Sequence, residues 1–541
     1  MKIVQTFWSG GGDILKDSFG WYSSQHHLLA WALSCLNLKN HYEDVELYTD
    51  TNGHEVLINQ LKLPYTKVWV VLDELQKYPK ELWGLAKVKT YSLQNEPFIH
   101  IDSDAFIWSA FGENFHEASL VAQNFEKGTD YYNNKFKEVK KYLKYIPDHF
   151  NIDIDDKAVC SCNAGVIGGK DFNFFKKYAA YVFDFVDGND LNSIPGHVLT
   201  NFNILFEQVL FYDIAEREGK QITCLFDRTI DDCGYKYDEI ADFTSVPYVN
   251  TYLHLIGPNK RNQIACDLLS RVLLKEFPEY FFKIISLSKA SCRHFNFNFS
   301  NFNEVQKEKV ESLALKFKNG QVPKIEPYKN VSASLKCITA ITPLLTKVFE
   351  LQEGSLDVNS QSIQEISNKN FLIKEALKYE NSVKEVLKEF DKISDDYLLA
   401  RDICSVNYFY FFHSPREVQL KKIFIKDPLV KKIDTVYDWT SLRLKNSSIE
   451  SEIKTLSEKS VTIACIPELF FSDYKEVLIE DLDSNILIIL EEATTLSDLL
   501  KRLEECFDQE DIQTNYDSFY KLVILKIKFL VYHKCIKVLE P

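Results

Sequence analysis

The stretch that decides the fold is residues 98–108, Phe-Ile-His-Ile-Asp-Ser-Asp-Ala-Phe-Ile-Trp. The apolar run at 98–101 predicts a buried β-strand, because β-branched and aromatic residues favour strands. Asp102 and Asp104 follow at once, before apolar residues resume at 105. Two carboxylates beside an apolar strand are costly unless a cation neutralises them. We therefore expect the pair to bind a hard divalent cation, Mg²⁺ or Mn²⁺, together with substrate phosphates.

Composition predicts a folded protein of several domains. The chain has 541 residues, of which 45% are hydrophobic and 14% aromatic, so it can bury more than one core. Its formal charge of −15 argues against a uniform nucleic-acid-binding surface but leaves open a local basic cleft. No apolar run reaches the roughly 18–20 residues that span a bilayer, and the N-terminus lacks a signal-peptide pattern. With 12 scattered cysteines and no zinc-type spacing, we expect a cytoplasmic protein with reduced thiols.

Strands and helices alternate through the first half of the chain. Apolar runs predict strands at 2–7, 45–48, 67–72, 98–101 and 246–255, and helical spacing predicts helices at 24–38, 54–62, 80–93, 200–217 and 262–288. A glycine-rich apolar unit lies at 158–169. Alternation of this kind predicts an α/β domain over 1–290, in which ligands bind at the carboxyl ends of the strands. The acidic pair lies at one of those ends.

The second half has a different pattern. Helical spacing predicts helices at 304–318, 330–352 and 371–392, and a polar linker at 354–370. We expect a helical connector at 291–370, a mixed accessory domain at 371–474 and a small α+β domain at 475–541. The last predicts strands at 475–479 and 485–490, helices at 496–507 and 516–532, and a short closing strand, with Thr495 as a helix cap. It is similar to the winged-helix domains that bind a leader peptide along a strand edge in enzymes that modify ribosomal peptides.

Four short motifs occur in order within residues 1–270. They are Asp102-Ser103-Asp104, Cys162-Asn163-Ala164-Gly165-Val166, Glu207-Gln208 and His254-Leu255-Ile256-Gly257-Pro258-Asn259-Lys260. The set resembles the DxD, NAGV, Asp-Gln and HxxGxxK motifs of nucleotide-sugar glycosyltransferases of GT-A fold. It is most similar to the retaining branch that includes glycogenin and the bacterial lipooligosaccharide galactosyltransferases. Glu207 stands where that branch has Asp, and Arg261-Asn262 stands where it has Pro-Trp.

The resemblance implies a catalytic domain with a Rossmann-like mixed sheet and a UDP-sugar as donor. It implies metal ligation by Asp102, Asp104 and His254, and a mixed carboxylate–imidazole set suits Mn²⁺ slightly better than Mg²⁺. The implied catalytic residues are Asp104 with Glu207 and Gln208, the last two as positioning or stabilising groups. The residues implied to contact the donor are Gln5, Thr6, Trp8, Asp50, Lys87, Asp102, Ser103, Asn163, Ala164, Gly165, Gly257 and Lys260. Lys260 would place positive charge on the diphosphate, and Gly257 would let the backbone approach it.

Simpler explanations exist for each motif. Residues 102–104 could cap a helix, His254 could be a satisfied core histidine, and residues 163–165 could form a tight turn. Glu207 and Gln208 could be ordinary polar residues on the solvent face of a helix. For the whole chain, the alternatives are a binding or scaffold protein on a degenerate GT-A fold, and a nucleotide-sugar hydrolase or nucleotidyltransferase. The favoured function is sugar transfer to an acceptor, with a peptide or protein recruited by the C-terminal half, which could instead form a homodimer.

Overall fold

A computed structural model describes residues 1–147, 159–289, 304–319, 371–390, 392–440, 459–468 and 474–539. The chain divides into two compact units, Met1–Cys292 and Arg293–Pro541. The finer division of the second half into 291–370, 371–474 and 475–541 stays a prediction. The predicted helix at 330–352 and the predicted linker at 354–370 lie outside the described residues.

The N-terminal unit is a mixed α/β structure, which confirms the predicted class. Its strands are β1 Lys2–Phe7, β2 Val45–Thr49, β3 Lys67–Val70, β4 Phe98–Ile101, β5 Ala105–Ile107, β6 Leu120–Ala122, β7 Phe125–Lys127, β8 Cys160–Cys162, β9 Val166–Gly169, β10 Ile222–Cys224 and β11 Tyr252–His254. Its α-helices are α1 Ser24–His41, α2 Thr51–Gly53, α3 Gly84–Ser92, α4 Glu113–Glu117, α5 Asp130–Lys140, α6 Phe172–Asp187, α7 Gly196–Ile204, α8 Leu210–Arg217, α9 Tyr237–Ile240, α10 Gln263–Glu276 and α11 Pro278–Lys289. Two further turns, His54–Gln60 and Leu205–Val209, are π-helical.

Seven strands form the central sheet in the order β10-β6-β9-β4-β1-β2-β3. β4, β1, β2 and β3 run parallel, whereas β9 lies antiparallel between β4 and β6. Every residue of β2 and β4 is buried, as expected for strands that are covered on both faces. The carboxyl ends of β1, β2 and β4 therefore lie at the same edge of the sheet, and residues 102–104 follow β4 there.

A separate two-stranded sheet brings the fourth motif to this edge. β5 follows residues 102–104 and pairs antiparallel with β11, so that Ala105 lies opposite His254. The Leu255 amide donates a hydrogen bond to the Asp104 carbonyl oxygen at 3.0 Å. Backbone pairing thus places two motifs that are far apart in the sequence next to each other.

The predicted strand at 246–255 is wrong over most of its length, since only Tyr252–His254 is extended in a sheet. A turn at 243–245 precedes it, and the Asp242 carboxylate accepts a hydrogen bond from the Thr244 amide at 2.9 Å. Pro247 has no N–H to donate to a neighbouring strand. Of residues 246–251 only Val246 is buried, whereas Tyr248 and Val249 are exposed, so this apolar run neither pairs as a strand nor packs into the core.

The predicted strand at 485–490 is also wrong, because these residues belong largely to the helix Asp481–Ile489. Glu480 and Asp483 form a reciprocal capping box at its start. A short apolar run fits a buried helix as well as a strand, so the sequence pattern alone does not separate the two.

The C-terminal unit contains two three-stranded antiparallel sheets. Its strands are β12 Ile423–Lys426, β13 Lys431–Thr435, β14 Val461–Pro467, β15 Tyr474–Ile479, β16 Thr494–Thr495 and β17 Ile536–Leu539, in the orders β16-β12-β17 and β13-β14-β15. Its described helices are Glu304–Lys318, Phe371–Phe390, Asp395–Asn407, Phe409–His413, Arg416–Leu420, Asp481–Ile489, Leu496–Glu504, Gln509–Thr514 and Tyr516–Tyr532. None of the helices that the structure describes is long and apolar enough to cross a membrane.

Residues 475–541 share both of these sheets with residues that precede them. β15 pairs with β14, and β17 pairs with β12. Deletion of 475–541 would therefore remove β16 and β17 from one sheet and nearly all of β15 from the other, so point substitutions test this region better than truncation. Thr495 caps the following helix as predicted, with its hydroxyl accepting from the Asp498 amide at 3.1 Å. The winged-helix resemblance stays a prediction.

Helix α1 carries two buried histidines. His26 and His27 are each 3% exposed. The Ser23 hydroxyl lies 2.7 Å from His26 Nδ1, and the Trp31 indole N–H donates to His27 Nε2 at 2.9 Å. Burial lowers the pKa of His26 to about 4 and the pKa of His27 to about 3. Both side chains are therefore neutral in the folded protein at neutral pH.

Acid should destabilise the protein through these histidines. In the unfolded chain each binds a proton below about pH 6.5, whereas in the folded chain each resists protonation. The free energy of unfolding is therefore highest above pH 6.5 and falls by about 2 kcal/mol per histidine as the pH drops to 5. Urea unfolding of the wild type and His27→Gln at pH 7 and pH 5 measures the difference. Equal pH dependence in the two proteins would contradict the prediction.

Candidate functional site

The three predicted metal ligands come together beyond the end of β4. Asp102, Asp104 and His254 each offer a ligand atom within 4.8 Å of the others. His254 Nε2 lies 3.3 Å from Asp104 Oδ1, and both side chains are largely buried. The Asp102 amide donates to the Gly165 carbonyl oxygen at 3.0 Å, which anchors the turn. Two carboxylates and an imidazole in this arrangement could hold one divalent ion.

Gln123 fixes the orientation of the His254 ring. Its amide nitrogen donates to Asn124 Oδ1 at 3.0 Å. Its Oε1 therefore faces the Tyr252 hydroxyl and His254 Nδ1, each at 2.6 Å. Because this oxygen only accepts hydrogen bonds, Nδ1 carries a proton, and Nε2 is the ring nitrogen that faces Asp104. Sequence reasoning missed Gln123, whose only signal was a Gln-Asn pair directly after the apolar run of β6.

Two lysines lie against the carboxylates. Lys87 Nζ is 2.8 Å from both carboxylate oxygens of Asp102 and 2.7 Å from Glu207 Oε1, and Lys260 Nζ pairs with Asp104. Burial lowers the pKa of Lys87, but the two carboxylates outweigh burial and raise it overall. Burial raises the pKa of Asp104, but Lys260 and the neighbouring histidine outweigh burial and hold it well below its usual range. The Lys87 ammonium group and the Asp104 carboxylate are therefore both charged at neutral pH.

Glu207 lies on the π-helical turn Leu205–Val209. Such turns are rare and frequently occur at functional sites. Glu207 has no exposed surface, and its Oε2 has no hydrogen-bond partner among the described residues. Burial raises the pKa of Glu207 to about 7, with Asp102 adding to the increase and Lys87 opposing it. The solvent-face explanation for Glu207 is therefore wrong, because the side chain points into the unit.

A cavity of about 590 Å³ opens beside these charged groups. Its size falls within the range of small-molecule binding sites. The predicted site residues in its wall are Thr6, Trp8, Lys87, Asp102, Ser103, Asp104 and Lys260. Sequence reasoning missed the aromatic part of the wall, which includes Phe7, Phe19, Trp21, His27, Trp31 and Trp83. The available signal was the concentration of glycine and aromatic residues at 7–21.

Two residues predicted to contact the donor are engaged in internal hydrogen bonds. Gln5 has no exposed surface, and its Oε1 accepts from the Tyr65 hydroxyl at 2.7 Å. Asp50 accepts hydrogen bonds from the Ser9 and Gly53 amides, each at 2.8 Å, and so holds the loop of residues 9–12, Ser-Gly-Gly-Gly, while it caps α2. These contacts assign both residues to the support of the cavity wall. A direct role in donor binding stays a prediction.

The second motif also forms a polar network. Asn163 Nδ2 donates to Glu126 Oε1 at 3.0 Å and to the Tyr235 hydroxyl at 3.2 Å. Ala164 is buried in the hydrophobic core.

In the third motif, Gln208 Oε1 accepts a hydrogen bond from the Tyr132 hydroxyl at 2.5 Å. The roles of Asn163 and Gln208 at the donor sugar stay predictions, because both side chains already have hydrogen-bond partners within the unit.

Gly165 lies where the backbone passes closest to His254. A β-carbon at this position would overlap with the imidazole and with Gln123 Oε1. Glycine is therefore required here by packing against His254, the third predicted metal ligand. Gly257 is required for another reason, since its φ of +52° lies in the left-handed region that favours glycine, in the turn that leads to Lys260.

Gly165→Ala should displace the His254 ring. We expect a loss of about 1–3 kcal/mol in the free energy of unfolding from overpacking. Mn²⁺ affinity should fall about 10- to 100-fold, as when a residue that orients a metal ligand is lost. Urea unfolding and Mn²⁺ titration measure the two effects. Gly112→Ala is the matched control, because nothing lies within 4 Å of the added β-carbon; a folded Gly165→Ala protein with unchanged Mn²⁺ affinity would contradict the prediction.

Comparison with known families gives one match. Residues 1–287 match the model of DUF6734, a family of unknown function. The match includes all four motifs and the whole of the cavity wall. None of the curated proteins matches the chain.

Proposed function

We propose that this chain, which belongs to the DUF6734 family, is a metal-dependent glycosyltransferase with a GT-A catalytic domain. It would transfer a sugar from a nucleotide sugar, with UDP as the expected nucleotide, to an acceptor with retention of configuration. One observation carries the proposal: Asp102, Asp104 and His254 converge within 4.8 Å beside a cavity whose wall also contains Lys87 and Lys260.

The donor set fits Mn²⁺ or Mg²⁺, and the imidazole favours Mn²⁺. Asp102 and Asp104 would supply carboxylate oxygens, and His254 would supply Nε2, because Gln123 holds the proton on Nδ1. A bound divalent ion neutralises the negative charge that develops on a departing diphosphate. These residues could also serve a nucleotide-sugar hydrolase, so the fate of the sugar has to be measured.

Two lysines provide the remaining charge that a diphosphate requires. Lys87 and Lys260 both line the cavity, and each ammonium group lies against one of the metal ligands. Ammonium groups bind phosphate as point charges and need no fixed geometry. A diphosphate beside the metal could therefore draw both lysines into contact with its oxygens.

Glu207 would act as a positioning residue. Together with Asp102 it holds Lys87 Nζ, with distances of 2.7 and 2.8 Å. It also places a second, unpaired carboxylate oxygen in the interior of the unit. Retention without a committed nucleophile, as the resemblance implies, needs groups of this kind to stabilise positive charge on the sugar.

UDP binding should depend on Mn²⁺ and on Asp104. In calorimetry of the full chain, wild type should bind UDP with Mn²⁺ and at least about tenfold more weakly with excess chelator, since the metal bridges the diphosphate to the protein. Asp104→Asn should lose the Mn²⁺ dependence. Asp227→Ala is the control, because Asp227 is an exposed carboxylate in the same unit. UDP binding that is equal with Mn²⁺ and with chelator would overturn the proposal.

Glu207→Gln should affect turnover more than donor binding. Loss of the charge frees Lys87 from one partner, and a small displacement of a positioning group costs about 100-fold in rate. We expect kcat for release of UDP from the best donor in a panel of UDP-sugars to fall by that order, with little change in Mn²⁺-dependent UDP affinity. Glu216→Gln, an exposed position on α8, is the matched control. Unchanged kcat in Glu207→Gln would exclude the positioning role.

A further inference from the structure

The C-terminal unit contains a second cavity that the proposed transfer reaction does not use. Its volume is about 170 Å³. Its wall is largely apolar or aromatic, with Phe317, Tyr397, Tyr408, Val531 and Ile536 among the lining side chains. Three cationic side chains also line it: Arg401, Lys534 and Lys537. An apolar cavity with a few charged groups is the usual form of a small-molecule site.

Arg401 is a buried cation whose hydrogen-bonding capacity is mostly unused. It lies on the helix Asp395–Asn407 and is 7% exposed. One terminal nitrogen donates to the Pro467 carbonyl oxygen. Its Nε and its other terminal nitrogen are buried and have no hydrogen-bond partner, and no described carboxylate forms an ion pair with it. Arginine stays charged in proteins, so a buried guanidinium in this state is costly unless an anion completes it.

The two neighbouring lysines already have anionic partners. Lys534 Nζ lies 2.5 Å from both Asp402 Oδ1 and Glu468 Oε2. Lys537 Nζ lies 3.2 Å from Asp427 Oδ2. The available donors in the wall therefore belong to Arg401 rather than to the lysines.

The charge balance restricts the class of ligand. Three cations face three carboxylates, so the group is neutral as a whole. A phosphate dianion would leave it with two unbalanced negative charges in a partly buried site, whereas a carboxylate would leave one. A carboxylate also matches the hydrogen-bond donors of a guanidinium. The apolar wall then suits a ligand whose remaining body is apolar.

We propose that this cavity binds the carboxylate of a small apolar or aromatic acid, with the carboxylate accepting the hydrogen bonds that Arg401 leaves unmade. The same chemistry occurs in a free organic acid and in the C-terminal residue of a peptide with an apolar side chain. Both present one carboxylate beside a compact apolar group. The site lies wholly within the C-terminal unit and does not depend on glycosyl transfer.

Calorimetry of the full chain with 3-phenylpropanoate tests the proposal. Wild type should bind it saturably and should bind 3-phenylpropanamide, which keeps the ring and loses the charge, about tenfold or more weakly. Arg401→Met should lose this preference for 3-phenylpropanoate over 3-phenylpropanamide. Arg502→Met is the matched control, because Arg502 is an exposed arginine in the same unit. Mn²⁺-dependent UDP binding should be the same in Arg401→Met and wild type, which keeps this test separate from that of the transferase.

A second variant leaves the guanidinium in place. Ala400→Phe would fill the cavity that Ala400 lines and should abolish 3-phenylpropanoate binding even if Arg401→Met fails to fold. Comparison of 3-phenylpropanoate with the tripeptide Gly-Gly-Phe and its C-terminal amide distinguishes a free acid from a peptide C-terminus as the ligand. If the ligand is a peptide C-terminus, Gly-Gly-Phe should bind more tightly than both 3-phenylpropanoate and the tripeptide amide. Absence of binding by both acids, equal binding of acid and amide, or tighter binding of inorganic phosphate would each overturn the proposal.

Discussion

Buried negative charge beyond the end of β4 is the constraint on which the N-terminal unit depends. Asp102, Asp104 and Glu207 place three carboxylates against the two ammonium groups of Lys87 and Lys260. In a medium of low dielectric constant, this excess of one negative charge is costly. Burial raises the pKa of Glu207 to about 7, because desolvation disfavours its charged form. A divalent cation would reverse the balance, and a diphosphate would then restore it.

The backbone holds this charge cluster by several independent pairings. β4 lies between β1 and β9 in the sheet and delivers the acidic pair, whereas the pairing of β5 with β11 delivers His254. The segment that leads into β9 supplies Gly165, whose missing side chain makes room for the imidazole. Side chains at strand ends are held more rigidly than side chains on loops, so the proposed metal ligands are largely preorganised. The loop of residues 9–12, by contrast, supplies only part of the cavity wall.

The sequence predicts the features that depend on local pattern. The helix at 516–532 agrees with the structure at both ends, and β1 does so as well, because each has a clear period and clear end signals. The motifs also predicted that Asp102, Asp104 and His254 lie close together in the fold. Residues 485–490 were wrongly predicted because a short apolar run fits two structures. Gln123 and Arg401 could not be found from sequence, since their importance comes from contacts with residues distant in the chain.

Each unit contains buried charged groups that lack a full set of partners among the described residues, and these groups are negative in one unit and positive in the other. In the N-terminal unit the carboxylates outnumber the ammonium groups paired with them, and the proposed ligand is a cation. In the C-terminal unit two buried nitrogens of Arg401 have no hydrogen-bond partner among the described residues, and the proposed ligand is an anion. Neither a carboxylate cluster nor a buried guanidinium improves stability by itself, because desolvation opposes the Coulomb attraction. Groups that cost stability by themselves are most readily explained by a ligand that completes them, and we therefore propose a separate ligand for each unit.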